Sequence, residues 1–267
     1  ESYYCVVEAG SAKKSLDLSY ASMNQGNHII LCLPLKGDTT WLECTNQKIA
    51  FGFLGDFTDD RYVLACTPDG GKLLKTPKYV SAVNLQTRKA DLIIDKSGNV
   101  SGKLQTVFAG TQFDNHEEIV DKPFTEQQKL LKSYYNIDNI TLDKINYQSI
   151  KNENPNLIEN LEITLRNYGV LNNNRFFITP NAFNSLGSIP DVKNRTLPIY
   201  VNRGFTDIDT VIYAIPENVI ALAEPIEKNF TNEFGSYKMY AKIEDKKLIY
   251  YRKLMLNDGT FPAENYP

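Results

Sequence analysis

The chain has 267 residues, 42% of them hydrophobic and 23% charged, an ordinary balance for a folded globular protein that argues against disorder. Its 29 basic and 32 acidic side chains leave a net charge of -3, which gives no electrostatic footprint for nucleic acid. No apolar run approaches the roughly 20 residues that cross a bilayer, and the length suits two domains better than one.

In chain order, aromatic and β-branched runs separated by turn residues dominate, and helical periodicity is nearly absent. The opening "ESYYCVVEAG" reads as a buried strand from the first residues, without the basic region and apolar core of a signal peptide, so the sequence is read as a piece of a longer one. Segments 3–9, 28–35 and 39–45 read as strands, the last two joined by turn chemistry at Lys36, Gly37 and Asp38. A loop with a Gly/Phe rhythm, "AFGFLGDFTDD", follows, and its glycines and aromatics suit either the wall of a cleft or a linker folded against the core. "YVLACTPDGGKLLKTP" then reads as a second hairpin around Asp69, Gly70 and Gly71.

From Lys78 the texture changes, which places a boundary near Pro77 and predicts domains of 1–77 and 78–267. Two long alternating segments flank Lys96 to Gly98, a strand pair with one face in water. "PFTEQQKLLKSYY" predicts a helix over 125–135, capped by Thr125 with Gln128 three residues on. The remainder returns to turn-separated strands, with the asparagines at 172–174 as a loop tip. The fold class is therefore mainly β (α+β), with an antiparallel β-sandwich and one helix in the second domain.

Cys5, Cys32, Cys44 and Cys66 form no CxxC pair, and neither a zinc site nor a disulfide framework is expected. Cys5, Cys32 and Cys66 sit in apolar runs and read as small core hydrophobes, while Cys44 alternates away from the face shared by Trp41 and Glu43. His116, in "FDNHEEIV", reads as part of a solvated loop rather than a metal ligand, and Asp56, Asp59 and Asp60 as a polar turn. No metal or other cofactor is expected.

The stretch "NHIILCLPLKGDTTWLECTNQ" sets His28 and Glu43 on either side of a hairpin turn, in reach of each other across two antiparallel strands. A carboxylate beside an imidazole fixes its tautomer and supports it as a general base. The pattern "NHIILCLPL…TTWLECT" resembles the histidine and acid strands of the transglutaminase-like cysteine enzymes, in which an acid, a small residue and Thr end the second strand. The longer run through "GGKLLKTP" is similar to a bacterial branch of that family.

The resemblance implies that residues 1–77 are the β-strand end of a transglutaminase-like core, with His28 as base and Glu43, where the family more often has Asp, as orienting acid. It implies thiol-mediated acyl transfer on amides, a protein or peptide substrate, no cofactor and an exported, periplasmic location. The family's nucleophile is a Cys at a helix start upstream of these strands, and no cysteine of this chain matches it, so the chain alone is expected to be inactive. The competing reading is a non-catalytic binding or scaffold module, with a degenerate core and a protein- or glycan-binding β-sandwich.

Overall fold

The computed structural model describes residues 1–266 except 21, 37, 47, 173–174, 185–186, 188–189, 193, 218 and 221–223. Gly37 of the first hairpin turn and residues 173 and 174 of the asparagine run thus lie outside the described residues. Every element that carries the candidate site lies within them.

The first five strands are β1 (Tyr3–Val7), β2 (His28–Leu35), β3 (Asp38–Leu42), β4 (Tyr62–Thr67) and β5 (Gly70–Lys75). They form an antiparallel sheet in the order β3-β2-β1-β4-β5. Period-two alternation selects its core face: Cys5, Val7, Ile30, Cys32, Trp41, Val63 and Ala65 pack together under Leu54 of the Gly/Phe loop. Each apolar side chain of Val, Ile or Leu size buried in this way contributes about 1.5–3 kcal/mol. The first and third strands are shorter than expected. β1 ends at Val7 because the Ala9 backbone bonds the Asn27 side chain instead of a strand, N–H to Oδ1 at 2.7 Å and C=O from Nδ2 at 3.1 Å.

Cys5 and Cys32 are buried as expected, whereas Cys66 is exposed. Alternation along β4 gives the core face to Val63 and Ala65, and Cys66 falls on the opposite face beside Met23.

The second half contains β6 (Leu85–Ile94), β7 (Val100–Ala109), α1 (Thr111–Glu117), α2 (Phe124–Tyr135), β8 (Ile140–Ile150), β9 (Asn156–Leu165), β10 (Val170–Asn172) and β11 (Arg175–Phe177). After these come β12 (Ile199–Val201), β13 (Phe205–Ala214), β14 (Ile226–Asn232), β15 (Gly235–Glu244), β16 (Lys247–Leu256) and β17 (Gly259–Phe261). Among the described residues, eight of these strands form one sheet in the order β14-β15-β16-β13-β6-β7-β9-β8, and the other four pair as β10 with β11 and β12 with β17. The chain is thus mainly β, with antiparallel and mixed sheets in a sandwich-like arrangement.

The strand pair around Lys96 to Gly98 is β6–β7, antiparallel, with every second residue of β6 buried. The sheet departs from the antiparallel expectation at one pairing, where β13 runs parallel to β6 from Thr206↔Leu85 to Ala214↔Ile93. Its inner face, including Leu92, Leu104, Leu161, Ile163, Val211, Tyr213 and Tyr250, packs under α2 (Leu131, Tyr135) and under Ala182 and Phe183.

The expected helix is α2, but its cap differs from the one the sequence predicts. Pro123 is the N-cap, no side chain caps the first turn, and Thr125 lies inside the helix. Proline has pre-set the backbone, and Gln128 is drawn away to donate to Leu142 O at 2.9 Å. The other helix, α1, takes in His116, so "FDNHEEIV" does not form the solvated loop that the sequence predicts. Phe113 is fully buried, and the His116 ring stacks on Phe108 at 3.7 Å between centroids.

The first sheet ends at Lys75 and the second begins at Leu85. Ala50 and Phe53 of the Gly/Phe loop share a core cluster with Phe108, Phe113 and Leu157 of the second half. Asp59, expected in a polar turn, is fully buried and pairs with Arg203 and with Lys13. Burial pushes its carboxyl up against the opposing pull of Arg203.

Candidate functional site

β2 starts at His28 because Gly26 lets the chain pass close to β1: a Cβ there would lie 2.4 Å from Val6 Cγ1 and 2.8 Å from Val7 O. Pairing of Val7 with His28 then fixes the histidine backbone, and alternation puts its ring on the face shared with Ile30 and Cys32. Across the hairpin, Leu31 pairs with Leu42, and β3 ends there. Continuing that register would set Glu43 opposite Ile30 and Thr45 opposite His28. Glu43 is therefore a diagonal neighbour just past the strand end, and the longer side chain of Glu spans the offset.

The carboxylate meets the imidazole with both oxygens, Oε1 at 3.0 Å and Oε2 at 2.9 Å from His28 Nε2. Oε1 also accepts from Thr45, from its N–H at 3.0 Å and its hydroxyl at 2.7 Å. The Thr two residues after the acid thus holds the carboxylate in place from its own side. A carboxylate only accepts, so Nε2 carries the shared proton and Nδ1 of the neutral ring is left with its lone pair. Among the described residues Nδ1 makes no hydrogen bond. The Glu43 side chain is 4% exposed and that of His28 14%, so the pair is enclosed except at the imidazole.

Phe57, the last aromatic of the Gly/Phe loop, stands edge-on to the His28 ring at 5.3 Å between centroids. The other side of that loop, with Phe53, borders a cavity of about 250 Å³ lined also by Tyr79, Val83, Gly110 and Pro155 and by neither His28 nor Glu43. Trp41 is buried in the core below the pair.

No cysteine sulfur bonds His28 among the described residues: Cys5 donates to Tyr3 O, Cys44 to Leu42 O, and Cys66 contacts Met23 Sδ. Burial pushes the Cys5 thiol up to about 12, away from thiolate. Nor do three or more His, Cys, Asp or Glu side chains converge as a metal site among the described residues. His116 gives its Nδ1 to Gln112 O at 2.8 Å, and burial lowers its basicity.

A second polar cluster lies inside the large sheet, and no motif in the sequence announces it. Asp209, fully buried, takes Arg88 on one oxygen at 3.0 Å and Arg252 on the other at 2.6 Å. Nearby, buried Glu159 accepts from the hydroxyls of Tyr135 at 2.6 Å and Tyr147 at 2.7 Å, and burial holds its carboxyl above the usual range. The available signal was in β6, where Gln86 and Arg88 occupy the parity of Ala90, Leu92 and Ile94.

Fold and site together define a mainly β chain with an enclosed histidine–carboxylate pair at the end of one hairpin. The family described as "Domain of Unknown Function with solved-structure structure (DUF3858)" matches residues 174–267. That span takes in β11 to β17 and leaves out His28 and Glu43. No curated protein and no solved structure is significantly similar to the chain. No helix among the described residues is long and apolar enough to cross a membrane.

Proposed function

We propose that this chain is the C-terminal portion of a transglutaminase-like protein and that His28 and Glu43 are the base and orienting acid of a Cys-His-acid acyl transferase acting on protein or peptide amides. The observation that carries the reading is the contact of both Glu43 oxygens with His28 Nε2, which leaves Nδ1 able to accept a proton. In the reaction, a thiol supplied by sequence N-terminal to Glu1 gives its proton to Nδ1 and attacks the amide carbonyl. The imidazolium, stabilised by Glu43, returns the proton to the departing amine. Water or a second amine then resolves the thioester. No cofactor enters these steps.

A second reading keeps the chain as a non-catalytic module for binding protein or glycan. The lack of any cysteine sulfur on His28 among the described residues is common to both readings, because the first takes its nucleophile from upstream sequence. One experiment separates the two. The natural protein with its upstream sequence is assayed for ammonia release from a glutamine-containing peptide and for incorporation of a primary amine. Acyl transfer that iodoacetamide abolishes and that falls about 10²–10⁴-fold in His28→Ala is expected. Absence of thiol-dependent turnover, or full turnover in His28→Ala, rejects the catalytic reading.

A further inference from the structure

The Gly/Phe loop reaches His28 through Phe57, and the backbone around Phe57 is fixed by groups far apart in sequence. Asp56 N–H donates to Asp114 Oδ2 of α1 at 2.9 Å, Asp56 O accepts from Arg203, and Phe57 O accepts from Gly10 N–H at 3.0 Å. Two of these three anchors, Asp114 and Arg203, belong to the second half. Gly55 makes the first one possible: its φ is +66°, and a Cβ there would lie 2.5 Å from Asp114 Oδ2. A left-handed backbone and the close carboxylate both require glycine at that position.

The exposure of the loop's aromatic rings shows what this arrangement does. Phe57 keeps 45% of its surface open and Phe51 63%, whereas Phe53 and Leu54 of the same loop are buried; of the two open rings, Phe57 is the one that meets His28. A phenyl ring left that open contributes little to the core, yet its own carbonyl and both backbone groups of the preceding Asp56 are held. Glu43 fixes one nitrogen of the imidazole, but one hydrogen-bonded nitrogen does not fix the rotation of the ring about its side-chain bonds. A phenyl edge against the ring supplies the second constraint.

We infer that Phe57 is a positioning residue for His28 and that Asp114 and Arg203 of the second half hold it there, so the large sheet and its helices complete the His28 site rather than merely follow it in sequence. The inference deepens the proposed function, on which its catalytic meaning rests, but the geometry is testable without turnover. It also gives the Gly/Phe loop a role that a binding-module reading does not call for.

The test is ¹⁵N and ¹H NMR of the imidazoles in this 267-residue chain, whose two histidines are told apart with His28→Ala. In the wild type His28 is expected as a single Nε2–H tautomer in one ring orientation. Phe57→Ala is expected to replace it with averaged or doubled ring signals while the buried His116 keeps its shifts, and Phe57→Tyr, which retains the aromatic edge, is expected to restore the wild-type pattern. Gly55→Ala, which forces Asp114 aside, and Asp114→Ala, which removes the acceptor without added bulk, are expected to act on His28 as Phe57→Ala does. Wild-type His28 signals in Phe57→Ala, or in both Gly55→Ala and Asp114→Ala, would overturn the inference. If the signals change as expected but the natural protein shows no acyl transfer, the proposed function falls and the coupling stands.

Discussion

Two clusters in this chain, one arginine–carboxylate and one histidine–carboxylate, use similar chemistry to different ends. Asp209 lies between Arg88 and Arg252 in the closed core of the large sheet, with every side chain at 4% exposure or less. Glu43 holds His28 at a strand end, with one imidazole nitrogen outside any hydrogen bond among the described residues and a path to solvent. A sealed cluster in which both carboxylate oxygens are taken up by arginines can only hold structure together. A pair with one satisfied nitrogen and one open nitrogen can move a proton. The comparison teaches that exposure and leftover valence, more than the presence of charged groups, mark the functional candidate.

The comparison is broken most forcefully at Asp209. Asp209→Ala leaves two arginines buried without their shared anion, and we expect a loss of about 3–5 kcal/mol in urea denaturation. Glu43→Gln, with an amide of the same shape still near Thr45, is expected to cost only about 1 kcal/mol. Equal losses at the two sites would mean that the His28 pair is as structural as the buried cluster.

The next effect depends on pH and concerns the contact between the halves. Desolvation of Asp114 raises its carboxyl from 3.8 to about 6, opposed by the hydrogen bond from Asp56 N–H and reinforced by the Asp56 charge. A carboxyl that binds its proton more tightly in the folded state stabilises the fold at low pH. That contribution is fully present below about 3.8 and is lost as pH rises through about 6. Asp114→Asn, whose amide oxygen still accepts from Asp56, removes the dependence. Its stability relative to wild type is expected to grow between about pH 4 and pH 7 by up to about 3 kcal/mol, read from paired denaturation curves. A difference that is flat with pH would show that Asp114 is ionised without cost.

The site was legible in the sequence where its determinants are local. His28, Glu43 and Thr45 lie within 18 residues of one hairpin, so alternation and the acid-x-Thr pattern sufficed to bring them together. Thr125 is not the cap because Pro123 occupies the N-cap, and α1 gives no sequence signal because "TQFDNHE" has no apolar period. Its order comes from tertiary contacts such as Gln112 to Asp207 at 3.0 Å. The parallel pairing of β6 with β13 and the Asp209 cluster join residues about 120 positions apart. Single-sequence patterning carries no register at that range.

The smallest effect expected is no change at all. Iodoacetamide should label Cys44 and Cys66, which are exposed, well before Cys5 and Cys32, which are buried, and His28→Ala should leave all four rates within about twofold because thiolate formation, not a neighbouring imidazole, sets them. One cysteine that labels quickly and slows in His28→Ala would place a nucleophile within this chain.

The most direct test of the central claim is which ring nitrogen of His28 carries the proton in the neutral imidazole, measured by ¹⁵N NMR across a pH titration in wild type and in Glu43→Gln. With Glu43 in place, the proton should sit on Nε2 and Nδ1 should be bare, and Glu43→Gln should weaken or erase that preference. A proton on Nδ1 in the wild type, or a pattern that Glu43→Gln leaves untouched, would contradict the assignment of His28 as a base oriented by Glu43.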